Sequence, residues 1–131
     1  MFDAYHTTFI MFGIAAAMFL IQLIVADVVA LRQGHTPGHP VEADHASLIF
    51  RASRAIANSN ESVAIFVLAA LFSIFVGGSA SWTNLGATVY VAGRAGHMLF
   101  YYANISLLRS VSFAISLVGV VIILAAGFRA L

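Results

Sequence analysis

The chain has no cysteine and no lysine, only two prolines, and few charges of either sign. Without cysteine it forms no disulfide and contributes no thiol of its own to catalysis or to a metal. Charged residues make up 8% of its 131 positions and hydrophobic residues 62%. A domain dissolved in water needs a charged exterior that this composition does not provide. With a mean hydropathy of +1.00, the chain reads as an all-α integral membrane protein. A net charge of +1 gives no basis for binding nucleic acid, and none is expected. In the absence of lysine, all six basic residues are arginines. Arginine grips carboxylates with two donors and keeps its charge when partly buried, which suits a site more than a solvated surface. No internal repeat or low-complexity tract is present.

What is there is apolar helix. Four spans are predicted, at about 7–31, 46–76, 85–103 and 109–128, forming one four-helix domain over 1–131. Crossing a bilayer of about 30 Å takes roughly 20 apolar residues. The first run is read as a span rather than a cleaved signal sequence, because its start carries Asp3, lacks positive charge and leads into too long an apolar stretch. Gln22 and Asp27 are polar within it; inter-helix hydrogen bonding is their plainest reading, with a ligand or proton role as the alternative. The segment Arg32–His45 holds both prolines and reads as a turn-rich loop. Its His35, His39 and His45 have no second cluster to close a tetrahedral site, so no metal is expected. Gly77–Asn84 is read as a turn with Trp82 as an interfacial anchor, and Asn104–Leu108 as a link. Arg32, Arg51, Arg54 and Arg109 fall at the first and third connections, which the positive-inside rule puts in the cytoplasm.

The polar residues of the spans are spaced for helix faces. Arg51, Arg54, Asn58 and Glu61 sit at offsets 0, 3, 7 and 10, which return to one face at about 100° per residue. Arg94, His97 and Tyr101 do the same on the third helix. An antiparallel bundle brings Tyr101 and Arg109 to the depth of Arg54 and Asn58, with Arg94 deeper and within reach of Glu61 or Asp27. Two readings compete. One is a buried ion-pair network holding the helices together. The other is an anionic guest, since Arg51, Arg54, Arg94 and Arg109 outnumber Glu61.

Two motifs bear on that choice. R-A-x-x-N-x-x-E runs Arg54-Ala55-Ile56-Ala57-Asn58-Ser59-Asn60-Glu61, and GRAGHMLFYYANISLLRS spans Gly93–Ser110 with an Arg-Ser pair at its end. Together they resemble the MAPEG family, membrane-associated proteins in eicosanoid and glutathione metabolism. The resemblance covers nearly the whole chain. No signature specific to a eukaryotic eicosanoid enzyme is present, which favours a bacterial-type member resembling microsomal glutathione transferase, in the bacterial inner membrane.

The resemblance implies a homotrimer with glutathione bound between neighbours and a site opening to the cytoplasm. It implies Arg54, Asn58 and Glu61 as glutathione-holding residues, His97 and Tyr101 or Tyr102 as third-helix ligands, and Arg32 near a carboxylate-binding arginine. Arg51 and Arg94 join the same set by position. Arg109 matches the arginine that stabilises the glutathione thiolate, with Ser110 adding a hydrogen bond to the sulfur. A thiol with a pKa of about 8.5 ionises more readily beside a cation. The implied activity is that of a glutathione-dependent transferase or peroxidase acting on hydrophobic electrophiles or lipid hydroperoxides. The alternative is a non-catalytic lipid-binding or scaffold protein of the same fold, since fold alone does not establish catalysis. Ser62 departs from the family pattern, which often has tyrosine after the glutamate and a proline shortly beyond.

Overall fold

A computed structural model describes residues 2–131, in which four helices follow one another: α1 (His6–Arg32), α2 (Leu48–Phe75), α3 (Ala80–Tyr102) and α4 (Ser106–Phe128). A single tight turn, Phe2–Tyr5, precedes α1, and no strand occurs among the described residues. The helices run up and down. The starts of α2 and α4 therefore share one end of the bundle with the finishes of α1 and α3.

Three helix ends close in the same way. Gly34, Gly77 and Asn104 each take a left-handed backbone, at φ 66°, 73° and 59°. The amide of the following residue then bonds back five positions: His35 to Ala30, Gly78 to Ser73 and Ile105 to Phe100. This closure satisfies carbonyls that a helix end leaves unpaired, and glycine or asparagine tolerates the conformation it needs. Asn104 thus stops α3 through its backbone.

Two boundaries differ from the sequence reading. Helix α3 begins at Ala80 rather than near Leu85, so Trp82 and Asn84 belong to the helix and not to a turn. Asn84 is fixed there by the N-terminus: its side chain accepts from the Thr8 backbone and hydroxyl at 3.0 and 2.7 Å and donates to the Ala4 carbonyl at 2.9 Å. Tyr5 donates to the Gly78 carbonyl beside it. Helix α4 begins at Ser106, which takes Ser106–Leu108 out of the link and puts Arg109 and Ser110 in the opening turns of the helix.

The turn before α1 together with α1, and helices α2 and α4, are each long and apolar enough to cross a membrane. Helix α3 matches α4 at 23 residues, but it carries Asn84, Arg94 and His97 and is not in that set. Its polar side chains turn inward while Leu85 and Leu99 face out. Helix α1 buries only the narrow seam Thr8, Ala15 and Gln22, leaving Ile10, Ile14, Leu20 and Ile24 exposed. A water-soluble protein would not present such a surface. A lipid-embedded one does.

Helices α3 and α4 touch backbone to backbone. A methyl group placed on Gly119 would lie 2.5 Å from the Tyr90 amide nitrogen and 2.6 Å from the Gly86 carbonyl oxygen. Small residues permit this approach, and dispersion then holds helices together in lipid. Gly119→Ala is expected to destabilise the protein by about 1–3 kcal/mol, because main-chain atoms must move apart. Gly13→Ala on α1, where nothing lies within 4 Å, should be neutral or slightly stabilising. Thermal melts of the two variants in detergent check this, and equal midpoints would contradict the packing argument.

Candidate functional site

The polar residues gather at the end of the bundle where α2 and α4 start. Arg94, on α3, is only 3% exposed. One of its terminal nitrogens donates to Asn58 Oδ1 at 2.8 Å and the other to Ser59 Oγ at 2.9 Å. The sequence reading offered Glu61 or Asp27 as its partner. The structure gives it an amide and a hydroxyl instead, because both are neighbours on the α2 face that packs against it. Glu61 accepts only a long contact from Asn58 Nδ2, at 3.4 Å, and is otherwise exposed. Arg54 is half-buried one turn before Asn58.

A second group adjoins the first. His97 is also 3% exposed, and its ring lies 5.1 Å from that of Tyr101 and 5.9 Å from that of Phe113. Arg94 sits 5.8 Å from the same Phe113 ring. The Arg109 guanidinium lies over the face of Tyr101 at 4.3 Å. Tyr101 is buried within this stack while Tyr102 is half-buried on the next face. Asn58, Glu61 and Arg94 thus form one cluster, and His97, Tyr101 and Arg109 another beside it.

Other predicted site residues are held differently. Arg51 donates to the backbone carbonyls of His45 and Ala46 at 2.7 and 2.8 Å, which staples the long loop to the start of α2. Ser110 donates to the Ser106 carbonyl at 3.1 Å. Arg32 is exposed in the last turn of α1, at the same end of the bundle. Ser62 turns into the core, bonds Tyr90 at 2.9 Å and leaves that ring stacked on Phe66 at 4.0 Å.

One observation connects these positions. Among the described residues, five buried side-chain polar atoms lack a hydrogen-bond partner: Arg51 Nε, Arg94 Nε, His97 Nδ1, Tyr102 Oη and Arg109 Nη1. All five belong to residues selected from the sequence as candidate ligands. Buried polar groups are normally satisfied, and each that is not costs about 1–3 kcal/mol. Their chemistry is mostly that of donors, so the missing complement is rich in acceptors.

A family model described as the MAPEG family matches residues 7–129. The chain belongs to the MAPEG family. That match takes in all four helices and every candidate residue from Arg32 to Ser110. No curated protein matches the chain closely enough for comparison. This MAPEG chain is a membrane protein of the glutathione and eicosanoid metabolism type.

A separate cavity of about 450 Å³ lies at the other end of the MAPEG bundle, lined by Trp82, Ile122 and Arg129 among others. It shares no residue with the polar cluster. Reasoning from sequence also missed three contributors near the site. Ser59 lies between two motif positions and accepts from Arg94. Phe113 adjoins both Arg94 and His97. His45, assigned to a solvated loop, stacks on Tyr101 with ring centres 6.4 Å apart. Only Ser59 carried a signal, being a small polar residue beside Asn58 within the arginine-bearing motif.

Proposed function

We propose that the protein is a glutathione-dependent transferase or peroxidase acting on hydrophobic electrophiles or lipid hydroperoxides. The reading is supported above all by the five partnerless buried atoms, which sit on the residues a carboxylate-bearing thiol would need. Glutathione has two carboxylates, one ammonium and one thiol. Arg54 and Arg94 suit the carboxylates through charge-assisted bonds, Asn58 supplies an amide, and Glu61 suits the ammonium. The His97, Tyr101 and Tyr102 side chains line the approach from α3. Arg32 and Arg51 lie at the same end and raise its positive potential.

Glutathione contributes the nucleophilic sulfur; the protein contributes position and charge. Arg109 stabilises the thiolate, lowering the cost of losing the thiol proton to solvent. Its stacking on Tyr101 is worth about 0.5–2 kcal/mol, enough to hold the guanidinium in place without consuming its hydrogen-bond donors. Ser110 has spent its proton on Ser106 and must rotate to assist. In the transferase reaction a carbon–sulfur bond forms as the leaving group departs with its electron pair. In the peroxidase reaction two thiols become one disulfide while a hydroperoxide becomes an alcohol and water.

Arg54 and Glu61 stand towards the outside of the single chain. A neighbouring copy would close the site over them, in keeping with what the family resemblance implies: a homotrimer in a bacterial inner membrane, with glutathione between subunits and a site opening to the cytoplasm. The test is turnover by the purified protein in detergent, with glutathione and either a chloronitrobenzene electrophile or a lipid hydroperoxide. Saturable, glutathione-dependent turnover of either substrate is expected. Lipid binding without turnover of either would favour a scaffold and overturn the catalytic reading.

A further inference from the structure

Gln22 lies midway along α1, far from both motifs, yet it is only 1% exposed. Its side-chain nitrogen donates to the Met18 carbonyl of its own helix at 3.3 Å, which leaves Oε1 to accept from Ser59 Oγ at 2.9 Å. The same Ser59 oxygen accepts from Arg94 at 2.9 Å. Arg94 then donates to Asn58 Oδ1 at 2.8 Å, and Asn58 Nδ2 faces Glu61 at 3.4 Å.

The direction of this chain of bonds is forced. Arginine has donors and no acceptor, so Ser59 must accept from it. The single Ser59 proton needs another acceptor, and Gln22 Oε1 is the one in place. With Arg94 so held, the Asn58 oxygen is occupied and its amide nitrogen is directed towards Glu61. An amide at mid-membrane adds little stability for its own sake. Inter-helix hydrogen bonds in membranes average about 0.6 kcal/mol, while buried polar groups at that depth commonly mark function.

We propose that Gln22 is a positioning residue of the candidate site: through Ser59 and Arg94 it sets the Asn58 amide that meets the ligand. This rests on the reading that Asn58 and Glu61 hold glutathione. The role differs from that of inter-helix glue, which would alter stability and leave affinity alone.

The experiment is calorimetric titration of the full chain in detergent with glutathione, paired with thermal melts, for wild type, Gln22→Leu, Gln22→Glu, Ser59→Ala and the double variant Gln22→Leu/Ser59→Ala. Wild-type binding tests the reading beneath the proposal; if wild type shows no saturable binding, that reading falls and the proposal falls with it. Given wild-type binding, Gln22→Leu and Ser59→Ala should each weaken affinity about tenfold, the scale of one hydrogen bond to the ligand lost through a misplaced amide. The double variant should be no weaker than either single one, since both interrupt the same chain. Gln22→Glu keeps an oxygen acceptor and should stay within about threefold of wild type. Melting midpoints of Gln22→Leu should barely move, because leucine suits the lipid-embedded helix better. Should Gln22→Leu fail to fold, Gln22→Met, unbranched and apolar, takes its place. Affinity within about twofold of wild type in a folded single variant, with Ser59 simply turning to a backbone carbonyl, overturns the proposal while leaving the glutathione reading intact.

Discussion

Arg109→Ala is expected to turn over an electrophile about a hundredfold more slowly than wild type, with glutathione affinity within about threefold. The estimate is the loss typical when one preorganised donor to a developing anion is removed. The proposed place of Arg109 is at the sulfur rather than at a carboxylate. Arg109 opens α4, stacks on Tyr101 at 4.3 Å and has one buried terminal nitrogen without a partner. The residues proposed for the carboxylates stand apart, on α2 and on Arg94. Steady-state kinetics supply kcat, and the ultraviolet absorbance of bound thiolate reports ionisation directly. Arg109→Lys should recover part of the loss, because a point charge replaces the cation but not the fork. Unchanged turnover in Arg109→Ala would remove Arg109 from the chemistry.

The second large effect is expected at Arg94, where binding and stability should separate. Burying a guanidinium without a carboxylate costs several kcal/mol, and two hydrogen bonds to a charged group return about 1.5–3 kcal/mol each. These magnitudes nearly cancel. Arg94→Met keeps the apolar stem and removes both the cost and the return, so melting should shift by no more than about 1 kcal/mol. Affinity for glutathione should nevertheless fall about ten- to a hundredfold, since a cation and the fixed Asn58 amide are both lost. Titration and melting of one preparation check the pair. A variant that unfolds while its residual folded fraction binds normally would return Arg94 to the role of structural glue.

The helix-face argument on α2 was legible because it needs only a period. Arg54, Asn58 and Glu61 recur on one face, and the structure brings Asn58 and Glu61 together beside Arg94. The start of α3 was not legible, because Gly77-Gly78-Ser79 is followed by polar, uncharged residues that resemble more of the same turn. What makes Asn84 helical is a contact with Thr8, far away in sequence. The partner of Arg94 was misjudged for a related reason. Counting charges suggests a carboxylate, whereas the packing of α3 on α2 selects whichever oxygens lie opposite, here those of Asn58 and Ser59. Arg51 shows the limit of periodicity from the other side: it shares the stripe, yet one of its terminal nitrogens is held by two backbone carbonyls of the preceding loop.

Everything functional in this account rests on unmatched donors among the helices being completed by an acidic thiol. The most direct measurement is equilibrium binding of labelled glutathione to wild-type protein reconstituted in lipid, with S-alkyl glutathione as competitor. Saturable binding displaced by the competitor is the predicted result. Retention no greater than that of protein-free lipid, at concentrations up to the millimolar range typical of weak ligands, would contradict it.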